Sequence, residues 1–387
     1  MSNVNDGSKT EIPLVSICTT FFNAGRYIHR TLDSCLNQTY KNIEVVVVDD
    51  ASTDDSEKIV KEYTTCDSRV KYFRNDKRIG LAESEIKMFR LAKGEFSMML
   101  GADDWIASDY IKNGVNSFLK HPNAAGIVPD LITLFEYGDN DVFTFESRKH
   151  FPSGIHSDSW FVKRMYKPKH LYISALAMVR SKDLADAFDY YIKNYYQRNS
   201  DSLPEELRGF FKRAFGMDVM TFMKILTEYK TFIFDGSLNY IKITHSQNQT
   251  FDIKRDSLFE IFKKSYYYFL IYKYIYEPKW PKFYRGMKIF VGAQTLSTAL
   301  IGFFRHKFSL SFLNISESKK IISDFFHEYS LFEVLISAIY SIPMTIWRSL
   351  GFIKRKLIKN KHRYEREKSL AFVKENFLTS DGRFRIY

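Results

Sequence analysis

Two pairs of adjacent carboxylates follow apolar runs in the first third of the chain. Asp49 and Asp50 come directly after VVVV, and Asp103 and Asp104 lie in MMLGADDWI. Neighbouring carboxylates repel each other, and both stay ionised only where a cation or strong hydrogen-bond donors compensate. Mg²⁺ is typically held by one or two carboxylates together with substrate phosphates. The second pair therefore indicates a divalent cation beside a phosphate group, and a helix cap with a solvated neighbour is the alternative.

The segments after the first two apolar runs carry groups that could hold a nucleobase. Asp50 could accept a hydrogen bond from a donor edge such as the N3–H of uracil. Thr20 offers a hydroxyl, and Phe22 offers a ring face for stacking. The alternative is that Asp49 and Asp50 are turn acids before a capped helix and that Phe22 is a core residue. These residues alone leave both interpretations open.

A further carboxylate, Asp218, opens an amphipathic helix in RAFGMDVMTFMKIL. A carboxylate in the first turn of a helix interacts favourably with the helix dipole, so ordinary capping is one interpretation. The other is a general base presented from a loop–helix junction. The chain has neither GxGxxG after its first strand nor GxxxxGK[ST], which disfavours dinucleotide-binding and P-loop proteins.

Strands and helices are predicted to alternate over the first 130 residues. The predicted strands are Leu14–Thr20, Ile43–Val48, Val70–Arg74, Phe96–Leu100 and Ala125–Val128. The predicted helices are Arg26–Leu36, Thr53–Tyr63 (capped by Ser52 or Thr53), Leu81–Ala92 and Ser108–Leu119 (capped by Ser108). This alternation indicates βαβ units and a mostly parallel α/β sheet that is covered on both faces. Ligands bind such sheets beyond the carboxyl ends of the strands, where Thr20, Asp50 and Asp103 would lie.

The pattern changes after residue 130. LITLFEYGDNDVFTFE predicts a hairpin, 150–168 a loop, and Tyr172–Val179 a strand. Helices are predicted at Lys182–Tyr195 and Phe215–Tyr229, with two short strands at Thr231–Asp235 and Leu238–Thr244. Beyond 255 the chain is predicted to be mainly helical. We therefore expect two regions, 1–250 and 251–387.

Charge distinguishes these two regions. Residues 251–387 hold 25 Lys and Arg against 12 Asp and Glu, a net charge of +13, whereas 1–250 carry −1. The basic region is rich in aromatic residues but holds no convincing membrane span, which needs about twenty apolar residues. Interfacial helices on an anionic membrane through 255–387 are the preferred interpretation, and a bundle that closes the protein or forms a homo-oligomer is the alternative. No recognition motif supports nucleic-acid binding.

The stretch PLVSICTTFFNAGRYIHRTLDSCLNQTYKNIEVVVVDDASTDDS closely resembles the opening of the family 2 glycosyltransferases. These proteins read P-x-V-S, T-x-[YF]-N, S-x-L-x-Q-T-Y and then E-x-x-V-V-D-D-x-S-x-D. The resemblance continues through RVKYFRN, GLAE and LAKGEFSMMLGADDW, so it covers 12–129 well and extends weakly to 250. It implies the GT-A fold, with a nucleotide-binding half at 12–130 and an acceptor-side half at 131–250.

The resemblance also implies roles for the nucleotide-side residues. Thr20, Phe22 and Asp50 match positions that hold the base and ribose of a donor nucleotide. Asp103 and Asp104 match the D-x-D region, where the first carboxylate faces the ribose and the second faces the metal-bound diphosphate. Mg²⁺ or Mn²⁺ is the cofactor that this motif implies.

Asp218 matches the aspartate that acts as the general base of the family. The sequence departs from the family pattern at three places. Gly101 replaces a frequent acid, which removes one possible metal ligand, and Ser84-Glu85-Ile86 replace the usual Ala-Arg-Asn. Phe22 replaces the common Tyr, which keeps the ring but removes a hydroxyl.

We therefore expect an inverting, metal-dependent glycosyltransferase that uses a nucleotide-diphospho sugar, with UDP as the expected nucleotide. The expected acceptor is a glycan or a lipid-linked glycan in cell-surface polysaccharide or glycoconjugate synthesis. The alternatives are an inactive membrane-bound subunit of a glycan-assembly complex and a sugar-nucleotide pyrophosphorylase. Three cysteines without metal or disulfide spacing and no apolar signal segment in MSNVNDGSKT are typical of a cytoplasmic protein, here peripheral on the inner face of the cell membrane.

Overall fold

The structure is a computed structural model. It describes residues 12–137, 142–148, 152–162, 176–191 and 217–244, and short stretches at 288–289, 292–293, 296 and 329–342. The predicted boundary at 250 and most of the predicted C-terminal helices lie outside these residues.

The first half of the described chain alternates strands and helices as predicted. The elements are β1 (Val15–Phe21), α1 (Ile28–Leu36), β2 (Ile43–Asp49), α2 (Ser56–Cys66), β3 (Val70–Arg74), α3 (Leu81–Leu91), β4 (Phe96–Met99), β5 (Trp105–Ile106) and α4 (Tyr110–Lys120). The second half contains β6 (Ile127–Tyr137), β7 (Val142–Arg148), β8 (Gly154–Ser157), α5 (Asp158–Val162), β9 (Val179–Arg180), α6 (Ser181–Tyr191), α7 (Met217–Tyr229) and β10 (Thr231–Thr244). A further helix spans 331–342.

The first sheet has the strand order β3–β2–β1–β4–β9. Its first four strands are parallel, and β9 pairs antiparallel with β4. Every residue of β2 is buried, which explains the valine run, because a central parallel strand is covered on both faces. α3 packs against β1 and β2, while α1 and α2 pack against each other and against β2 and β3. The mostly parallel α/β sheet is therefore confirmed.

The second sheet has the order β5–β10–β6–β7, and β8 also pairs with β10. β6 and β7 pair antiparallel with Tyr137 opposite Val142, which confirms the predicted hairpin. The predicted strand Ala125–Val128 instead begins at Ile127 and continues to Tyr137 in this second sheet. It continues because the alternating segment LITLFEY extends the apolar run without a break.

Three further predictions from 131–250 are wrong in detail. The two short strands are one strand, β10, whose register with β6 shifts between Asp235 and Asn239. The Asp235 carboxylate accepts hydrogen bonds from the backbone and hydroxyl of Ser237 and from the Ser117 hydroxyl, so the irregular residues stay attached to the strand. The predicted loop at 150–168 contains β8 and α5, and the strand predicted at Tyr172–Val179 is reduced, in the described residues, to β9.

Two predicted helix caps also differ from the structure. α2 begins at Ser56 with Asp55 as its N-cap, because the side chains of Ser52 and Thr53 bond to the neighbouring loop instead. α4 begins at Tyr110 after Asp109 rather than at Ser108.

None of the helices within the described part of the chain is both long and apolar enough to cross a bilayer. In the C-terminal region, the helix 331–342 packs on residues 288–289 through a salt bridge of 3.0 Å between Lys288 Nζ and Glu333 Oε2. The Tyr329 hydroxyl donates to the Lys288 carbonyl at 2.7 Å. A helical C-terminal segment is thus present where the structure describes it.

Gly94 lies tightly against the start of β1. A methyl group there would lie 2.6 Å from the Ser16 nitrogen and 2.8 Å from the Leu14 carbonyl oxygen. Because both are backbone atoms at the edge of a central strand, we expect Gly94→Ala to lower the free energy of unfolding by about 1–3 kcal/mol. Gly236→Ala is the matched control, since its methyl group meets only the rotatable Ser153 hydroxyl. Urea denaturation measures both variants, and equal losses would contradict the packing argument.

Candidate functional site

The site lies where three strands of the first sheet end at the same edge. Phe21 at the end of β1 is opposite Asp49 at the end of β2, and Cys18 of β1 is opposite Met99 at the end of β4. The segments that leave these strands carry Phe22, Asp50 and the Asp103–Asp104 pair. The parallel sheet therefore brings the predicted nucleotide-side residues to one edge.

The two loops after β1 and β2 are bonded to each other. Ser52 Oγ accepts from the Asn23 backbone N–H at 2.9 Å, and Asn23 Oδ1 accepts from the Thr53 backbone N–H at 2.8 Å. Ser56 Oγ accepts from the Ala24 backbone N–H at 2.9 Å. The polar cluster ASTDDS thus fixes the loop that carries Phe22. Because Ser52 and Thr53 bond to this loop, neither of them caps α2.

Asp49 has a structural role. Its side chain is fully buried and accepts hydrogen bonds from the Ser52 backbone N–H at 2.7 Å, the Tyr72 hydroxyl at 2.7 Å and the Arg74 guanidinium at 2.6 Å. These three donors compensate the buried charge. Asp49 therefore holds β2, β3 and the following loop together.

Asp50 faces a different segment. Its Oδ1 accepts from the Asn75 side chain at 3.0 Å and from the Ile79 backbone N–H at 2.8 Å, and its Oδ2 accepts from the Gly80 backbone N–H at 2.9 Å. A carboxylate offers about four lone-pair positions, so Oδ2 has capacity for a further donor. The next residue, Ala51, has a φ of 61°, a left-handed conformation that costs a non-glycine residue about 1–2 kcal/mol. The chain thus turns sharply immediately after Asp50.

The ring of Phe22 is covered by a guanidinium group. The Arg78 Cζ atom lies 3.8 Å from the ring centroid, as expected for a cation–π contact. Nearby on β1, the buried Oγ1 atoms of Thr19 and Thr20 have no hydrogen-bond partner in the structure. A flat ring face and unsatisfied hydroxyl groups at one sheet edge are suited to a ligand with planar and polar parts.

Asp104 is held by the second sheet. Its Oδ2 accepts from the Tyr240 hydroxyl at 2.8 Å, and its Oδ1 accepts from the Ile243 backbone N–H at 2.8 Å. The same Tyr240 oxygen accepts from the Gly101 backbone N–H at 3.0 Å. Burial, and then the neighbouring Asp103 charge, raise the pKa of Asp104 to about 7. A buried carboxylate is therefore anchored on β10.

This geometry bears on the predicted metal ligand. The sequence predicts Asp104, whose side chain is buried and whose two oxygens each accept one hydrogen bond and keep one lone pair. Asp103 beside it is partly exposed. No group of three or more His, Cys, Asp or Glu side chains that could hold a metal occurs within the described residues. The oxygen ligands fit a hard cation bound by one protein carboxylate and completed by phosphate oxygens, with Asp103 as the accessible carboxylate.

Asp218 is the second residue of α7, and its side chain lies outside the part of the chain that the structure describes. Thr221, one helical turn later, lines a cavity of about 30 Å³ together with Met99 of β4 and Glu85 of α3. The start of α7 is therefore close to the end of β4, from which the Asp103 loop leaves. The role of Asp218 stays a prediction.

Sequence reasoning misses two residues of this edge, Tyr240 and Arg78. Tyr240 lies 136 residues after Asp104, and a tyrosine in an alternating strand gives no signal of such a contact. Arg78 could have been noticed as a cation in the loop before the G-L turn, but only the fold places it on Phe22.

We expect Tyr240→Phe to lower the free energy of unfolding by about 1–3 kcal/mol, because Asp104 Oδ2 loses its donor and the Gly101 N–H loses its acceptor, while the Ile243 bond to Asp104 Oδ1 remains. Tyr110→Phe is the matched control, since its equally buried hydroxyl donates to a single carbonyl, that of Leu176. Urea denaturation should show the larger loss for Tyr240→Phe. A Tyr240→Phe protein as stable as the parent would contradict the proposed anchor.

Comparison with known proteins agrees with this geometry. The family model described as Glycosyl transferase family 2 matches residues 16–179. An uncharacterized glycosyltransferase of Haemophilus influenzae is 36% identical over 110 residues, which are 28% of this chain and 44% of that protein. The Escherichia coli UDP-Glc:alpha-D-GlcNAc-diphosphoundecaprenol beta-1,3-glucosyltransferase WfaP is 36% identical over 103 residues, 27% of this chain and 40% of that protein. The matches span less than half of these relatives.

A solved structure extends the comparison of folds. Staphylococcus aureus TarS 1–349, crystallised with UDP-GlcNAc, superposes with a TM-score of 0.54 at 15% identity and covers 86% of this chain and 89% of that chain. The sheet order, the motifs at the ends of β1, β2 and β4, and these comparisons agree. Residues 16–179 are therefore similar to the family 2 glycosyltransferases, and the chain has the GT-A fold.

Proposed function

We propose that the chain transfers a sugar from a UDP-linked donor to a hydroxyl of a glycan or lipid-linked glycan, with inversion, in cell-surface polysaccharide or glycoconjugate synthesis. The observation that carries the proposal is the convergence of Phe22, Asp50 and the Asp103 loop at one edge of the first sheet. The names of WfaP and of the TarS complex, which include UDP-linked sugars, support UDP as the nucleotide.

The nucleoside would bind along the ends of β1 and β2. Its base would stack on the ring of Phe22, replacing or sharing the contact with Arg78, and would donate to the remaining lone pair of Asp50. Thr20 would supply a hydroxyl whose oxygen has no partner in the structure. Asp103 would face the ribose. This arrangement satisfies groups that the protein alone leaves unsatisfied.

A divalent cation, Mg²⁺ or Mn²⁺, would lie beside the Asp103–Asp104 pair. Asp103 offers the more accessible carboxylate. Asp104 would hold the loop after β4 in place through its hydrogen bonds from Tyr240 and Ile243 of β10. When bound, such a cation supplies electrostatic stabilisation of the charge that develops on a diphosphate leaving group. Gly101 keeps the space open, because a methyl group there would lie 2.7 Å from Asp104 Oδ2.

Asp218 would act as the general base at the start of α7. It would take the proton from the acceptor hydroxyl as that oxygen attacks the anomeric carbon from the face opposite the leaving diphosphate, which gives inversion. The packing of Thr221 beside Met99 supports this role, because it brings the first turn of α7 toward the end of β4.

We expect Asp218→Asn to lower turnover by about 10²–10⁴-fold, because an amide cannot accept the acceptor proton, while donor affinity stays unchanged. Asp189→Asn is the control, since Asp189 is an exposed carboxylate on α6 that pairs with Arg90. Turnover is measured with a panel of nucleotide sugars as the rate at which the nucleoside diphosphate is released. Near-normal turnover by Asp218→Asn would refute its assigned role.

We expect calorimetry to show UDP binding that requires Mn²⁺ or Mg²⁺. Phe22→Ala should weaken this binding about tenfold or more, because base stacking on an aromatic ring contributes about 1–3 kcal/mol. Phe22→Tyr is the matched control that keeps the ring and should bind as the parent does. If the chain bound no nucleoside diphosphate with either cation, the inactive-subunit alternative would be favoured instead.

The location that suits this reaction is the cytoplasmic face of the cell membrane, with the protein bound peripherally. The basic region 251–387 supports this proposal, because an anionic headgroup surface attracts Lys and Arg at about 1 kcal/mol each. A lipid-linked acceptor would then be presented at the same surface.

A further inference from the structure

The helix 331–342 has its polarity inverted. Its buried positions are polar: Glu333, Ser337 and Ser341 are each 8% exposed or less. Six large side chains are 55–77% exposed: Tyr340 and five apolar ones, which are Leu331, Phe332, Leu335, Ile339 and Ile342. With about 100° between successive residues, these five lie within about 100° of the helix circumference, opposite the polar positions. We call them the apolar face.

Specific polar contacts fix this orientation. Glu333 Oε2 pairs with Lys288 Nζ at 3.0 Å and accepts from the Ser330 backbone N–H at 2.9 Å. The Ser337 hydroxyl donates to the Ile289 carbonyl at 3.2 Å, and a methyl group at Gly292 would lie 2.6 Å from its oxygen. Rolling the helix to bury the apolar face would separate the Lys288–Glu333 pair, and breaking a buried pair is strongly destabilising. The contacts of Glu333 and Ser337 therefore keep the apolar face pointing outward.

An outward apolar face of this kind indicates an apolar partner, because a solvated helix normally places its charged residues outside. The only charged residue of 331–342 is Glu333, which is turned inward. The twelve helical residues that the structure describes here are about 18 Å long, against roughly 30 Å for the hydrocarbon core. The face thus suits a partner that it enters sideways rather than one that it spans.

We propose that the apolar face docks into the interfacial layer of an anionic phospholipid bilayer. Charge complementarity selects this partner. The region 251–387 carries a net charge of +13, and the sequence after the helix continues with Trp347 and the basic run KRKLIKNKHR. A second copy of the chain would bring two such regions together and would be repelled, whereas anionic headgroups attract them. The proposal specifies which element makes the membrane contact of the proposed function, and it is tested by binding rather than by turnover.

The test is co-sedimentation of the full chain with lipid vesicles. We expect binding to phosphatidylcholine vesicles that contain phosphatidylglycerol, weaker binding to phosphatidylcholine alone, and a decrease at high salt. The double variant Leu335→Ser/Ile339→Ser should bind the mixed vesicles at least about tenfold more weakly, because two apolar side chains no longer enter the layer. Leu119→Ser on α4, at a side chain of similar exposure, is the matched control and should bind as the parent does.

Two measurements keep the outcomes separate. Thermal unfolding shows whether the double variant is folded, and light scattering after size-exclusion chromatography gives the oligomeric state. If the parent were a dimer that did not bind vesicles and the double variant were a monomer, the proposal would be overturned in favour of a second copy. Undiminished vesicle binding by the folded double variant, or no vesicle binding by the parent, would also overturn it. UDP binding is measured on the same samples, so failure here is distinguishable from failure of the proposed function.

Discussion

The site depends on one buried carboxylate that is satisfied from another sheet. Asp104 receives the Tyr240 hydroxyl and the Ile243 backbone N–H, both from β10, and Tyr240 also receives the Gly101 N–H. Leaving a buried carboxylate without donors costs several kcal/mol, so the loop after β4 can hold this conformation only when β10 is in place. The conformation of the Asp103–Asp104 loop is therefore completed by residues more than 130 positions later in the chain.

The same constraint shapes the ends of β1 and β2. Asp49 and Asp50 are adjacent but accept hydrogen bonds from different segments. Asp49 accepts from side chains of β3, whereas Asp50 accepts from the 75–80 segment and keeps a lone pair for a further donor. The left-handed turn at Ala51 sends the chain back toward the β1 loop, where Ser52 and its neighbours bind it. Strain at a ligand-binding edge of this kind is stored by the surrounding hydrogen bonds.

Sequence reasoning predicts the parallel sheet and its functional edge because apolar runs, helical periodicity and turn residues are local signals. Sequence reasoning fails where contacts between distant segments determine helix starts and side-chain orientation. Ser52 and Thr53 are good caps in isolation, but the β1 loop competes for them, so α2 begins later. The anchoring of Asp104 needs the pairing of β10, and the orientation of the helix 331–342 depends on the contact between Glu333 and Lys288, which are 45 residues apart. The local pattern cannot say which face meets the protein.

The proposed catalysis at the sheet edge and the proposed membrane attachment through 331–342 thus depend on different buried charges, Asp104 in the first case and the Lys288–Glu333 pair in the second. The most direct test of the catalytic account is a crystal structure with UDP and Mn²⁺, in which anomalous scattering locates the metal. The account predicts a manganese peak bonded to the Asp103 carboxylate and to diphosphate oxygens, with the uracil ring against Phe22. A nucleotide bound away from the carboxyl ends of β1, β2 and β4, or a manganese ion that does not contact Asp103, would contradict it.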